Sequence, residues 1–301
     1  MSTNYPHLIR QFIAQKSLPE TYAIDAEQFV LPLIAAIKNR LQDSNGPFIV
    51  GISGAQGTGK STLAELVQQL FAESGFAVAH LSIDDFYLSR ARRSELARRV
   101  HPLLATRGVP GTHDMSLALA TLESLLTATA KEQVVLPVFD KSLDDCVRIK
   151  HCPTIRGPLD LILLEGWFVG ATPQADAELE VPINNLERDD DADGRWRRYV
   201  NTQLGLDYQR LFAMLHYLIV LQAPGFELVY HWRSTQERKL RERKHREHSS
   251  RKAVGLMDEK ELERFIQFFE RLTRHCLKTL PAKADAVLQL TDAHRVAELL
   301  D

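Results

Sequence analysis

Two hydrophobic patterns alternate along the chain. Short, almost wholly apolar runs stand at Phe48–Ser53, Ala77–Ile83, Leu159–Leu164, Tyr217–Gln222 and Ala286–Leu290. Runs of this length with no polar face predict strands buried on both sides. Longer stretches between them carry helical spacing. Over residues 1–44, Phe29, Leu33, Ile37 and Leu41 recur at steps of four, and Gly46-Pro47 ends the pattern. Further helices are predicted from the 54–61 loop to about Ser74, over Ser89–Arg99, and from Asp114 as N-cap to about Ala130. Others follow near Tyr208–His216, over Phe226–Lys252, over Asp258–Leu280 and over Ala293–Leu300. Val134–Phe139 reads as extended, and Glu187–Arg198, with its Asp run and its arginines, as an exposed loop. Apolar strands alternating with helices predict an α/β fold: a doubly wound parallel sheet covered on both faces. A helical N-terminal extension (1–45) precedes the main domain (46–301).

Composition narrows the partners. The chain has 301 residues, 45% hydrophobic and 25% charged, with a formal net charge of −2. That balance exerts no global pull toward nucleic acid or an anionic membrane, so neither is expected as a partner, and an anionic ligand must be held by local groups. The start, MSTNYPHLIRQF, lacks the basic stretch and apolar run of a signal peptide. The most apolar runs are strand-sized and too short to cross a bilayer. Cys146, Cys152 and Cys276 are sparse and odd in number, which suits a reducing, cytoplasmic setting. Cys146 and Cys152 lack the spacing and the second pair of a zinc site. Whether the protein is a monomer or a homodimer stays open.

The strongest local signal is Gly54-Ala55-Gln56-Gly57-Thr58-Gly59-Lys60-Ser61, which fits Gly-x₄-Gly-Lys-Ser/Thr between an apolar strand and a helix. Small residues let successive backbone N–H groups curl around a β-phosphate, and the helix N-terminus adds its partial charge. Residues 54–61, with Thr62 behind them, are therefore the expected nucleotide-binding loop. Lys60 places a charge between the β- and γ-phosphates, and the Ser61 hydroxyl is a Mg²⁺ ligand. The implied cofactors are ATP and Mg²⁺.

Two carboxylates stand at strand ends, where ligands of an open parallel sheet bind. Asp84, in Ser82-Ile83-Asp84-Asp85-Phe86-Tyr87, is placed beside the phosphate loop to accept a proton from an acceptor hydroxyl or to bind Mg²⁺ through water, whereas Asp85 reads rather as a cap of the following turn. Leu161-Ile162-Leu163-Leu164-Glu165-Gly166 is a Walker B pattern with Glu165 at the acidic position, a partner for Ser61 in holding the metal. From Ser234 to Lys252 there are eight Lys/Arg and three Glu, including the i,i+4 pairs Glu237–Arg241, Glu242–Arg246 and Glu247–Arg251. Such a helix is either a solvated face or a basic lid over about 226–253. As a lid it brings Arg233 to the nucleotide and Arg241 to the transferring phosphoryl group.

At these residues the chain resembles the D-glycerate 3-kinase family of plants and its fungal and bacterial relatives, as a bacterial-type member. That family lies within the wider group of phosphoribulokinase, uridine kinase and pantothenate kinase. The resemblance runs from about Phe48 to Leu290. It rests on GAQGTGKS at 54–61, LSIDDFYL at 81–88, HPLLATRGVPGTHD at 101–114, PVFDKS at 137–142, GPLDLILLEGWFVG at 157–170, NNLE at 184–187 and VYHWR at 229–233. It implies a P-loop kinase core in which Asp84 is the catalytic acid. It further implies an acceptor site lined by Arg107, His113, Asp114 and Lys141, with Tyr87 and Glu165 beside Asp84. Arg107 suits a carboxylate, and His113 or Asp114 a hydroxyl. The acidic insertion around Asp189–Asp193 and the long basic helix set the chain apart from the plant enzymes.

The expected reaction is phosphorylation of D-glycerate to 3-phosphoglycerate. The alternatives are a kinase for another small alcohol, such as a nucleoside or a pantothenate-like acid, and a non-catalytic ATP-binding regulator. Guanine-specific switches usually carry Asn-Lys-x-Asp or Thr-Lys-x-Asp, and this chain carries neither.

Overall fold

The computed structural model describes residues 4–235 and 259–301. Its centre is a six-stranded sheet in the order β10-β9-β8-β1-β7-β2. The strands are β1 (Phe48–Gly54), β2 (Val78–Ser82), β7 (Leu161–Gly166), β8 (Tyr217–Gln222), β9 (Ala286–Leu290) and β10 (Val296–Leu300). Two small antiparallel ribbons stand apart, β3 (Gln133–Val135) with β6 (Thr154–Arg156), and β4 (Phe139–Asp140) with β5 (Asp145–Cys146). Strands β1, β2, β7, β8 and β9 are parallel, and β1 lies between β7 and β8, with Phe48 opposite Leu161 and Val50 opposite Tyr217. This register brings Gly54, Ser82 and Gly166 to one sheet edge.

The strands are apolar throughout because both faces are covered. On one face Val50, Ile52, Leu161 and Leu163 pack on Leu66, Val67 and Leu70 of the helix Lys60–Glu73. Ile9, Phe12, Leu33 and Ile37 of the N-terminal helices belong to the same cluster. On the other face Ile49, Ile162 and Leu164 meet Leu119, Leu122, Trp167 and Phe269. Full burial of each such side chain contributes about 1.5–3 kcal/mol. The N-terminal segment is also stitched on by polar contacts. Arg295 and the Val296 N–H bond the buried Asp25 carboxylate, and Lys38 donates to Tyr5 and Ser74.

Three expectations need correction. Residues 293–300 are not a helix but include the antiparallel edge strand β10, after a tight turn in which His294 is left-handed (φ 61°) and Thr291 N bonds Arg295 O. An open edge beside β9 and the anchor at Asp25 outweigh the helical spacing. Second, 187–198 is not an exposed loop. It spans two helices, Asn185–Asp190 and Arg195–Leu204, around a buried ionic corner. There Arg197 pairs with Asp191 at 2.9 Å and Arg271 with Glu187 at 2.6 Å. Third, β2 stops at Ser82, and Ile83–Phe86 forms a 3-10 turn in which the Asp84 N–H donates to the Ser82 hydroxyl. Among the described residues no helix is long and apolar enough to cross a membrane.

Candidate active site

The loop after β1 is shaped by its glycines. Gly57 and Gly59 take positive φ (84° and 89°), and a Cβ on Gly54 would sit 2.6 Å from Thr58 Oγ1. Thr58 is buried and donates to Ala55 O at 2.8 Å, closing the loop on itself. The helix Lys60–Glu73 starts at Gly59 with no side-chain cap, so its first N–H groups remain available to an anion. Gln56, Gly57 and Lys60 are partly exposed on this rim, and Thr62 sits one residue past Ser61 in the first turn.

Beneath the loop, Ser61 Oγ donates to Glu165 Oε1 at 2.8 Å. Glu165 is 5% exposed, and its Oε2 has no hydrogen-bond partner. A buried, half-satisfied carboxylate against an exposed hydroxyl is costly on its own. The pair has the hard oxygen chemistry that Mg²⁺ takes, usually with several waters retained. The residues present therefore fit the metal.

Asp84 lies in the turn after β2. Its Oδ1 accepts from Tyr87 OH at 2.8 Å and its Oδ2 from Lys141 Nζ at 2.7 Å. Burial pushes its pKa up, but the charges of Lys141 and Lys60 and these two hydrogen bonds outweigh it and hold the carboxyl below its usual value. Asp85 turns elsewhere and accepts from Phe139 N at 3.2 Å. Burial, aided by Asp84's charge, pushes it up to about 6. The two neighbours thus sit in opposite electrostatic settings.

The 101–114 segment is a rigid wall. Thr112 O and Phe86 O accept from Leu88 N and Asp114 N, tying the wall to the Asp84 turn. Gly108 O accepts from Trp167 Nε1, and Gly111 N donates to Tyr208 OH. His113 Nδ1 lies 2.7 Å from Tyr208 OH, and its ring lies 4.5 Å from that of Tyr87. Tyr208 oxygen already accepts from Gly111, so its own proton is best placed on Nδ1, which leaves the imidazole proton on Nε2. That atom is buried with no protein partner. Burial pushes His113 down to about 3 against the opposing charge of Asp84, so the ring is a neutral donor.

The remaining candidates are placed less centrally. Asp114 caps the helix Met115–Thr127 and pairs with Arg92. Arg107 pairs with Asp144. Asp85, Tyr87 and Asp114 border a cavity of about 620 Å³ whose lining includes none of Lys60, Ser61 or Glu165. Arg233 belongs to the helical residues 226–235, and its backbone N would lie 3.6 Å from a Cβ at Gly57. Arg241 lies outside the described residues.

Comparison with known proteins now adds a family. No protein-family model matches the chain. It is 32% identical over 256 residues to an uncharacterized kinase of Schizosaccharomyces pombe, covering 79% of this chain and 84% of that one. The chain belongs to that family of ATP-dependent P-loop kinases. This kinase is also 32% identical over 247 residues to the chloroplastic D-glycerate 3-kinase of Arabidopsis thaliana, with 76% of this chain and 50% of that one covered. It thus spans half the length of the plant enzyme. The D-glycerate 3-kinase of Cryptococcus neoformans shares its fold, with a TM-score of 0.70 over 90% of this kinase and 98% of that chain at 22% identity. Kinases of this group use ATP, generally with Mg²⁺.

Some side chains at the site carry no sequence signal. Arg93 is one arginine in the run ARRSELARR, yet it is fully buried. Asp144 and Tyr208 lie 30 or more residues from the wall they complete, outside any motif.

Proposed function

We propose that this kinase transfers the γ-phosphoryl group of ATP to a hydroxyl of a small hydroxy acid, with D-glycerate as the acceptor. The observation that carries the reading is Asp84: a carboxylate kept ionised between Lys141 and Lys60, at the sheet edge where the phosphate loop opens. The loop 54–61, with Thr62 and Arg233 near it, binds the nucleotide. Lys60 sits against the β- and γ-phosphates. Ser61 and Glu165 hold Mg²⁺, which supplies charge neutralisation on the phosphate oxygens. Asp84 orients the acceptor, with Tyr87 and Lys141 fixing Asp84 in turn and the neutral His113 ring packed against Tyr87. The acceptor hydroxyl oxygen forms a bond to the γ-phosphorus as the bridging oxygen to the β-phosphorus leaves with ADP. The hydroxyl proton passes to Asp84, late, because the transition state is loose. Similarity to the plant enzyme and an arginine at the wall support a carboxylate-bearing acceptor, and three unpaired cysteines fit a cytoplasmic setting.

The test is ADP release with Mg-ATP across a panel of acceptors. D-glycerate should be turned over faster than uridine or pantothenate, and Lys60→Ala should abolish turnover while the melting curve stays near wild type. A preferred nucleoside would overturn the substrate assignment.

A further inference from the structure

Among the described residues Arg93 is the largest fully buried side chain, at 0% exposure. Its Nη2 donates to Asp144 O at 3.0 Å and to Asp144 Oδ2 at 2.7 Å. Its Nε and Nη1 are buried and unpartnered. Arg107 takes the other oxygen of the same carboxylate, Asp144 Oδ1. Both guanidinium groups lie over the ring of Phe139, at 5.6 Å and 5.5 Å. Asp144 sits in the turn between β4 and β5 with a left-handed φ of 55° and a side chain 37% exposed.

A staple between helix and ribbon explains the Nη2 bonds. It does not explain two arginines converging on one carboxylate, nor two buried donors with no hydrogen-bond partner. A guanidinium presents its donors as a fork matched to a carboxylate, and leaving them unmade costs free energy. The cluster also borders the reacting end of the site. Arg107's charge acts on Tyr87, which bonds Asp84, and the residues between β4 and β5 supply Lys141 to the same carboxylate.

We propose that Arg93 and Arg107 together form the subsite for the acceptor's carboxylate, and that Asp144 is an intramolecular stand-in which the acceptor displaces. This rests on the hydroxy-acid reading above and adds to it a buried specificity residue and a built-in competitor. An uncharged alcohol has no means of displacing Asp144, so the same contact discriminates against neutral acceptors.

The test is calorimetric titration of the full chain with D-glycerate, with glycerol as the uncharged control. Asp144→Asn removes the competing charge while keeping a residue that tolerates left-handed backbone. It should tighten D-glycerate binding by about five-fold. Arg93→Lys loses the fork and should weaken it by about ten-fold, with ATP affinity unchanged. Equal or weaker binding in a folded Asp144→Asn variant, or wild-type affinity in Arg93→Lys, overturns the proposal. Should Arg93→Lys lose its melting transition, Asp144→Asn decides alone. Turnover separates the two readings. The expected affinity changes without phosphorylation of D-glycerate would sink the kinase assignment and leave the subsite standing. Phosphorylation with unchanged affinities would do the reverse, and no binding by wild type or Asp144→Asn overturns both.

Discussion

Lys141 Nζ donates to Asp84 Oδ2 across 2.7 Å, although the two residues are 57 positions apart in the chain. The lysine follows β4, and the aspartate sits in the turn after β2. Burial pushes the Asp84 carboxyl up, and Lys141 is the strongest of the groups pulling it down. Removing that charge and its hydrogen bond moves the carboxyl upward, with Lys60 and Tyr87 still holding it against burial. In Lys141→Ala the acid limb of the kcat/KM profile should therefore move to higher pH, with activity lost first on the acid side. An unmoved limb would assign it to another group.

Glu165→Gln should change the metal requirement. Glutamine keeps an oxygen for the Ser61 hydroxyl but discards the charge of the buried Oε2. The Mg²⁺ concentration for half-maximal rate should rise about 10- to 100-fold, with a melting temperature close to wild type. Superimposable Mg²⁺ titrations would remove Glu165 from the metal site.

Gly57→Ala should weaken nucleotide binding. The residue takes φ 84°, and its Cβ would come 3.1 Å from Trp232 Cβ. A left-handed alanine costs about 1–2 kcal/mol. The loop can relieve that only by leaving the shape that directs its N–H groups at phosphate. The ATP dissociation constant should rise about ten-fold. Unchanged affinity would mean that the loop adapts to its ligand.

The five parallel strands were legible because strands buried on both faces must be apolar throughout. The phosphate loop was legible because its glycines answer to local backbone geometry. β10 was not, since its place depends on a free edge at β9 and on Asp25, which lies 270 residues from Arg295. The folding of 187–198 into a buried corner is hidden for a related reason. Its acids and arginines neutralise one another only once folded, as Arg197 and Asp191 do. Arg93 shows the limit most sharply. In the sequence it matches its solvated neighbours, and only the packing of Phe139 and Asp144 over it takes it out of water.

The adjacent acids Asp84 and Asp85 should part company in two measurements. Asp84→Asn removes the proposed proton acceptor, and loss of such a group commonly costs about 10²–10⁴-fold in rate. Its kcat should fall within that range while ATP affinity stays near wild type. Asp85 bonds the Phe139 N–H away from the loop, so Asp85→Asn should alter kcat far less. Its signature is stability. Burial lifts the Asp85 pKa to about 6 in the folded protein, against about 3.9 in an unfolded chain. The folded state therefore holds the proton more tightly. The stabilisation is complete below the unfolded pKa and is lost as pH rises through about 6. Asparagine accepts the same N–H bond and cannot ionise. Relative to wild type, Asp85→Asn should thus gain on the order of 2 kcal/mol between pH 4 and pH 8. Denaturant unfolding at several pH values reads this directly. A stability difference that stays constant across that range would mean that Asp85 is ionised in the folded protein throughout, and a collapse of kcat in Asp85→Asn beside a normal Asp84→Asn would exchange the roles of the two residues.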